Sequence, residues 1–436
     1  MLGLIVSASA AVSLVALRGK QTQRWQQLWM RWQQLWMRWR QLWMALTRTS
    51  SKLDFSPTSL GPLDTLALVA SILWKMTLVG VGFGPQWPLD GSETVRIPRL
   101  SVCCPIILGP RDLQAFEDIV HDVQRQPNSD GKVGHTPQTS STLALVAPTN
   151  PLMILLLAHQ RCPLLPIGAL HVRNRFEIVD PTAMSVVAGK RIAESGTTAA
   201  TDAASQTPGA ASSQPSDTAS SQPSGTAATW RCEASIAETA RRVRKGIEVD
   251  IAMRVDDASG STVFRQTITV LQLSRRLALR DKGSAKASDF DWTRREHWTN
   301  LELTKSLPHR WAAISKDHNP IHTSSVLAKY VFGLGGAIAH GNCVAVRCFA
   351  GSQGQELAQG EPWALEISFR KPMVLPLKLQ VERVRGDGRD DGMERNDGRD
   401  RNGGTERDST AFAWRAVGAS DQAVYVEGRW WLEPRA

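Results

Sequence analysis

The sequence predicts an α+β protein built from two copies of one unit, a short buried helix followed by antiparallel strands. Residues 151–160 (PLMILLLAHQ) are so apolar that a helix there must be buried on all sides. Residues 249–255 alternate apolar and polar side chains, and a second strand pattern follows the DDASGS turn, which is typical of a hairpin. The second half repeats this order, with an apolar helix at 341–350 followed by alternating strands.

The composition is that of a globular protein. Of the 436 residues, 42% are hydrophobic and 21% are charged, which excludes a wholly disordered, collagen-like or multi-span membrane protein. The length corresponds to two or three domains. Six cysteines are too few for a disulfide framework in a chain of this length, so we expect a reducing compartment and a cytoplasmic location.

The positive charge is concentrated at the N-terminus. The chain has a formal net charge of +10, and residues 1–53 contain eight basic residues and no acidic one. The rest of the chain is therefore close to neutral. Because a nucleic-acid-binding domain normally carries its basic residues on the folded body, the sequence predicts no nucleic-acid partner.

The basic segment also contains a tandem repeat. RWQQLWM occurs at 24–30 and 31–37, and RWRQLWM follows at 38–44. Tryptophan and leucine fall on one helical face, with arginine and glutamine on the other, a pattern typical of a helix at a membrane surface. The apolar run at 2–17 is too short to span a bilayer. Two interpretations stay open: peripheral membrane contact through residues 1–53, or a recent duplication without a selected role.

Composition shifts suggest the domain boundaries. A Ser/Thr/Ala/Gln/Pro-rich stretch and a charged, glycine-rich stretch cannot form a core, so both are predicted as disordered insertions. The predicted segments are an arm at 1–59, a first domain at 60–274 with an insertion at 195–229, a linker at 275–289, and a second domain at 290–436 with a charged loop at 386–408.

The chemistry is concentrated in residues 311–350. Asp317 and His322 lie five positions apart around Asn319–Pro320, and an Asn-Pro step favours a turn. Such a turn can bring a carboxylate and an imidazole to the same side of the chain. The two groups form a competent general acid/base pair.

A second feature is the start of the apolar helix at 341–350. Gly341 stands at its first position, directly after His340. The first amides of a helix have no partner within the helix, and glycine lets another group approach closely, so the Gly341 N–H can stabilise an oxygen that gains negative charge. Together with the acid/base pair, this arrangement suits chemistry at the carbons α and β to a carbonyl.

These residues resemble the MaoC-like family of (R)-specific enoyl-thioester hydratases and 3-hydroxyacyl-thioester dehydratases. The resemblance rests on the pattern Trp311–Ala312, Ser315, Asp317, Asn319, Pro320, Ile321 and His322, followed by Ile338, Ala339, His340 and Gly341. Lys316 departs from the pattern, because glycine is common there. The first half resembles the degenerate half of two-domain members, since PTNP at 148–151 leads into the apolar helix and no Asp-x-Asn-Pro-x-His motif precedes residue 300.

The resemblance implies a double hot-dog fold, in which two antiparallel sheets each wrap around a central helix, preceded here by the helical arm. It implies reversible hydration of trans-2-enoyl thioesters to (R)-3-hydroxyacyl thioesters. Asp317 and His322 would be the catalytic pair, Asn319 would hold the turn, and the Gly341 amide would polarise the thioester carbonyl. Ser315, Ile338 and His340 are expected on the substrate-binding side.

The implied partner is an acyl-CoA or an acyl carrier protein thioester, and no further cofactor is expected. The implied assembly is a monomer that acts as a pseudo-dimer, or a homodimer. His340, Cys343 and Cys348 lack the spacing of a zinc site, so no metal is expected. His171 and Arg173 could contact a CoA phosphate, but we interpret them as outward-facing residues of a strand. The alternative function is a hot-dog scaffold that binds acyl thioesters without turning them over.

Overall fold

The computed structural model describes residues 22–80, 87, 92–120, 143–165, 169–183, 228–274, 290–330, 332–352, 361–385 and 412–432. The predicted linker at 275–289 and charged loop at 386–408 lie outside the described residues, as does the predicted insertion at 195–229 except for its last two residues.

The first half begins with two long helices and continues with a buried helix and several strands. Its elements are α1 (Thr22–Thr47), β1 (Ser50–Lys52), α2 (Pro62–Gly80), β2 (Thr94–Arg96), β3 (Leu100–Leu108), α3 (Pro110–Val120), α4 (Val146–Ala158), β4 (Ala169–Ile178), β5 (Ala228–Val243), β6 (Gly246–Asp256) and β7 (Thr262–Leu273), with a short 3₁₀ turn at Pro57–Ser59.

The second half repeats the helix-and-strand order. Its elements are β8 (Glu296–Leu303), α5 (Leu307–Ser315), α6 (Pro320–Thr323), α7 (Ser325–Tyr330), α8 (Gly341–Ser352), β9 (Trp363–Phe369), β10 (Leu377–Arg385), β11 (Phe412–Gly418) and β12 (Val424–Leu432), with a 3₁₀ turn at Trp292–Arg294.

The strands of both halves join into one sheet. Within the described residues the sheet has 12 strands in the order β1-β3-β5-β6-β7-β4-β9-β12-β11-β10-β8, and β2 pairs with β5. All neighbours are antiparallel except β1 and β3. The halves meet where β4 pairs with β9, from Arg173 opposite Ser368 to Ile178 opposite Trp363. Helix α4 packs on the first half's strands and α8 on the second half's, so the predicted α+β double hot-dog class is confirmed.

Helix α4 differs from its prediction at its N-terminus. The apolarity of the sequence predicted a helix over residues 151–160. The helix instead begins at Val146 and contains Pro151 in its interior. Nearly every residue from Val146 to Ala158 is buried, so burial of the whole segment outweighs the local cost of the proline.

The tandem repeat forms a helix whose last turns belong to the core. Leu42, Ala45 and Leu46 are buried, and Arg38 lies 2.8 Å from the Asp64 carboxylate of α2. Consecutive tryptophan rings along the helix stack at centroid separations of 5.3 to 6.2 Å. The third copy of the repeat therefore packs on the folded body. Among the described helices, none combines the length and apolarity that a membrane crossing requires.

The strands β11 and β12 approach each other closely at one glycine. Gly428 stands opposite the buried Trp414, and a Cβ at position 428 would lie 2.3 Å from Trp414 Cε2. We therefore expect Gly428→Ala to lower the free energy of unfolding by about 1–3 kcal/mol, because the indole must shift within a packed core. Urea denaturation measures the loss.

Gly335→Ala is the matched control, since a Cβ there would meet Val374 at 3.7 Å, an ordinary contact distance. Equal stability of Gly428→Ala and the wild type would contradict the packing of β12 against Trp414.

Candidate active site

The end of helix α5 places Asp317 in the interior. Lys316 follows the helix with φ of 55°, a left-handed conformation, and its amide donates to Ala312 O at 2.9 Å. Glycine adopts this conformation without strain, which explains why glycine is common at this place in the resembling family. After this reversal Asp317 is buried, with 6% of its surface exposed.

Asn319 holds the turn that joins the two predicted catalytic residues. Its side-chain Oδ1 accepts a hydrogen bond from Ile321 N at 3.2 Å and so caps the short helix α6, with Pro320 at the first helical position. Its own amide donates to Asp317 Oδ1 at 3.2 Å. One residue thus caps the helix that carries His322 and also orients the carboxylate of Asp317.

The hydrogen bond of His322 defines its tautomer. Nδ1 lies 2.9 Å from Ile338 O. A carbonyl oxygen only accepts, so Nδ1 carries the proton and Nε2 keeps its lone pair. His322 is therefore held as an imidazole whose second nitrogen can take up a proton.

His340 contacts both of these residues. Its ring stacks on that of His322 at a centroid distance of 3.8 Å. Its Nε2 lies 3.1 Å from Asp317 O and 3.7 Å from Asp317 Oδ2. Both partners are acceptors, so Nε2 carries the proton. His340 thus supports both members of the pair.

The pKa values of the three groups follow from burial and from their mutual contacts. Burial raises the pKa of Asp317, but His340, His322 and the hydrogen bonds from Asn150 and Asn319 outweigh it, so the pKa of this carboxyl is lowered overall. Burial lowers the pKa of His322 and lowers the pKa of His340 to about 3. At neutral pH the site therefore contains one carboxylate and two neutral imidazoles.

Gly341 begins helix α8 in very close contact with its neighbours. A Cβ at this position would lie 2.9 Å from Phe369 Cζ and 3.2 Å from His171 Nδ1. Only glycine fits between these rings without displacing them. As the first residue of α8, Gly341 has an amide that the helix's own hydrogen-bond ladder does not use, and it follows directly after His340.

The interpretation of His171 as an outward-facing residue is wrong. Its ring contacts Phe369 at a centroid distance of 4.8 Å, and burial lowers its pKa to about 4. The pairing of β4 with β7 shifts register between His171 and Arg173, and such a bulge breaks the simple alternation of faces. Arg173, by contrast, is partly exposed and contacts Glu248 at 3.4 Å.

The predicted substrate-binding residues all contact the pair. Ser315 Oγ accepts from Asp317 N at 3.3 Å. Ile338 provides the carbonyl for His322 and donates its amide to Ile321 O at 3.0 Å. Their role towards a substrate stays a prediction, as does that of His340.

Sequence reasoning missed a polar chain that reaches the site from the first half. Asn150 of α4 donates to Asp317 Oδ2 at 3.0 Å, and Asn342 of α8 donates to Asn150 Oδ1 at 3.3 Å. A signal was present in the sequence: the polar residues Thr149 and Asn150 directly precede the segment 151–160 that must be buried all round, and a helix that starts earlier buries them, so each requires a polar partner.

Asp317, His322 and His340 also qualify as a candidate metal cluster among the described residues, because one donor atom from each lies within 4.8 Å of the others. The geometry fits a metal poorly. The planes of the two imidazole rings are inclined by only 26°, so their in-plane lone pairs do not converge on one point. Two neutral rings stacked beside a carboxylate suit proton transfer better than metal ligation.

The buried histidine predicts a pH dependence of stability. The pKa of His340 is about 3 in the folded protein against an ordinary 6.5, so the unfolded chain binds a proton below pH 6.5 that the folded chain excludes. Stability contributed by His340 is thus full above pH 6.5 and is lost as the pH falls. Between pH 6.5 and 5, His340→Gln should therefore lose about 2 kcal/mol less of its free energy of unfolding than the wild type does.

Urea denaturation at the two pH values measures this difference. His309→Gln, at an exposed position of α5, is the control and should keep the wild-type pH dependence. A His340→Gln variant that loses as much stability as the wild type would contradict the buried neutral imidazole.

Comparisons with known proteins agree with the resemblance drawn from the motif. Residues 293–406 match the family described as MaoC like domain. The chain is 31% identical over 153 residues to 3-hydroxyacyl-thioester dehydratase X of Mycobacterium tuberculosis (strain ATCC 25618 / H37Rv), a match that covers 35% of this chain and 52% of that protein. The chain thus spans about half the length of this curated relative.

Two solved structures are similar over most of the chain. The crystal structure of HtdX of Mycobacterium tuberculosis shares 16% identity, with a TM-score of 0.47 over 76% of this chain and 98% of that chain. A MaoC-like dehydratase from Phytophthora capsici shares 16% identity, with a TM-score of 0.42 over 78% of this chain and 97% of that chain. The resemblance that the residues around Asp317 predicted is confirmed: residues 293–406 of the second half are similar to the MaoC like domain family.

Proposed function

We propose that the protein is a hydro-lyase that interconverts trans-2-enoyl thioesters and (R)-3-hydroxyacyl thioesters. One observation carries the proposal. A carboxylate at Asp317 and a neutral imidazole at His322 lie within 4.8 Å of each other, and His340, which touches both, directly precedes the amide that begins α8. An acid/base pair next to an oxyanion donor is the arrangement that addition of water to a conjugated thioester requires.

In the hydration direction, a water molecule is held by Asp317 and His322. The pair takes one proton from the water while its oxygen forms a bond to the β carbon of the enoyl thioester. The electrons of the double bond move towards the thioester carbonyl, and the Gly341 N–H stabilises the oxygen as it gains negative charge. The pair then returns one proton to the α carbon. Elimination runs through the same steps in reverse, and the enzyme ends in its starting protonation state.

The same geometry and the relative's name support the proposed substrate class. Dehydratase X is described as acting on 3-hydroxyacyl thioesters, and we extend this class to the present chain. The thiol component would be CoA or the phosphopantetheine of an acyl carrier protein, bound as part of the substrate. The two helix-and-sheet units of one chain would serve as the pseudo-dimer, with the second unit carrying the acid/base pair.

Loss of crotonyl-CoA absorbance measures the reaction directly. We expect Asp317→Asn and His322→Gln each to reduce hydration by about 10²- to 10⁴-fold, because each removes one of the two proton-transferring groups. Both variants should keep the wild-type circular dichroism spectrum.

His309→Gln is the matched control and should retain wild-type turnover. Wild-type turnover in both Asp317→Asn and His322→Gln would refute the mechanism. Crotonyl-CoA binding by the wild type without any loss of absorbance would instead favour the non-catalytic scaffold.

We further propose that helix α1 contacts an anionic lipid surface. Met30 and Met37 are 54% and 56% exposed, and Trp43 is 39% exposed. Arg31 and Arg40 are exposed on the same helix, which contains no acidic residue. Exposed apolar side chains next to basic ones are typical of helices that lie in a membrane interface.

Co-sedimentation with phosphatidylglycerol vesicles tests this contact. We expect Met37→Glu to weaken binding about tenfold, because it puts a charge where a methionine side chain enters the lipid. Gln33→Glu changes the net charge equally at another exposed position of α1 and should weaken binding less. Equal effects of the two variants, or no binding by the wild type, would contradict the proposal.

A further inference from the structure

The first half of the chain lacks the acid/base pair, but it reaches directly into the site. Asn150 of helix α4 is 3% exposed, and its Nδ2 donates to Asp317 Oδ2 at 3.0 Å. The other oxygen, Oδ1, accepts from the amide of Asn319. The Asp317 carboxylate is thus held by one donor from its own turn and by one from the opposite half of the molecule.

A continuous chain of buried side chains stands behind this contact. Asn342 donates to Asn150 Oδ1, Asn174 donates to Asn342 Oδ1 at 2.6 Å, and Gln266 donates to Asn174 Oδ1 at 3.3 Å. Thr149 Oγ1 donates to Gln266 Oε1 at 2.8 Å. All five residues are at most 3% exposed.

The donor-to-acceptor direction of this row of hydrogen bonds follows from the negative charge of the Asp317 carboxylate at its end. A carboxylate only accepts, so Asn150 must present its NH₂ group to Asp317 and its carbonyl oxygen to Asn342. Asn342 must then donate to this carbonyl oxygen through its own NH₂ group. For the same reason Asn174 donates to Asn342, and Gln266 donates to Asn174. Each amide is therefore oriented with its donor towards Asp317, and hydrogen bonds in such a row polarise one another.

We propose that Asn150 is a positioning residue that the first half supplies to the second: it keeps the Asp317 carboxylate ionised and fixes the direction of its oxygens. This inference deepens the proposed hydro-lyase activity and rests on it for its kinetic consequences. It assigns a role in the site to the half that lacks the acid/base pair. Asn342 acts through Asn150, because it donates to the Asn150 carbonyl oxygen and so fixes the orientation of this amide.

Asn150→Leu tests the contact, because leucine has a similar size and cannot donate. Loss of a donor to the anionic form raises the pKa of Asp317, so the acidic limb of the kcat/KM profile for crotonyl-CoA should move to higher pH. We expect kcat to fall about 10- to 100-fold, since the carboxylate loses its fixed direction, while KM changes little.

Asn150→Asp keeps the size and shape of the side chain and gives an opposite signature. Two adjacent buried carboxyls share one proton, and the protonated carboxyl that this substitution introduces can still donate to Asp317. Activity should therefore be retained at acidic pH and be lost as the pH rises and the shared proton leaves. This variant keeps the proposal falsifiable if Asn150→Leu does not fold.

Thr149→Val is the control at the far end of the chain. It removes a buried hydrogen bond and should lower the melting temperature, but it leaves the Asn150–Asp317 contact in place, so the acidic limb should stay at its wild-type pH. The proposal would be overturned if the acidic limb of the kcat/KM profile moves as far in Thr149→Val as in Asn150→Leu. It would also be overturned if the acidic limb of Asn150→Leu stays at its wild-type pH.

Carboxyl titration by ¹³C NMR separates this proposal from the proposed activity. The Asp317 signal is assigned by its loss in Asp317→Asn, and its pKa should rise in Asn150→Leu. A raised pKa in a protein that does not hydrate crotonyl-CoA would refute the activity and support the positioning role. An unchanged pKa in an active enzyme would refute the positioning role alone.

Discussion

The buried carboxylate of Asp317 is the constraint on which the rest of the site depends. A carboxylate removed from water is strongly destabilised unless nearby groups compensate for the lost hydration. Here the compensation comes from the Asn319 amide and the Asn150 side chain, which donate to the two carboxylate oxygens, and from the Nε2–H of His340, 3.7 Å from Oδ2. These groups come from different elements, so the ionised state of Asp317 is stable only when the whole fold has assembled around it.

Proton transfer benefits from this arrangement because it holds each group in a defined state. The carbonyl of Ile338 fixes the proton of His322 on Nδ1, and the backbone of Asp317 fixes the proton of His340 on Nε2. The Nε2 of His322 therefore keeps its lone pair and can accept a proton. A site organised before the substrate arrives needs little rearrangement in the transition state, which is a main source of catalytic rate.

The two halves of the chain depend on each other in the same way. Strands β4 and β9 join them into one sheet, and this junction places His171 of β4 against Phe369 of β9 and both of them against Gly341. The tight contact leaves no room for a side chain at the start of α8. The halves thus jointly form the surroundings of the Gly341 amide.

Features set by neighbouring residues could be predicted from the sequence, whereas features set by distant contacts could not. The Asn319 turn joins groups five positions apart, so the chemistry of one Asn-Pro step was enough to bring Asp317 and His322 together. The contact between Asn150 and Asp317 joins residues 167 positions apart, and no local pattern encodes it.

Strand β8 and the bulge in strand β4 are two further features that distant contacts determine. The bounds of strand β8 were not predicted, because it is an edge strand whose first residues are largely exposed and show only a weak apolar alternation. The bulge in β4 is invisible in the sequence, because the pairing with β7 produces it, and it reversed the expected environment of His171.

A crystal structure of Asp317→Asn with bound crotonyl-CoA would show whether the thioester lies between the acid/base pair and the start of α8. We expect the thioester carbonyl oxygen about 2.7–3.1 Å from the Gly341 nitrogen, with the β carbon facing His322 and residue 317. A carbonyl directed away from the start of α8, or an acyl chain bound away from this pair, would contradict this expectation.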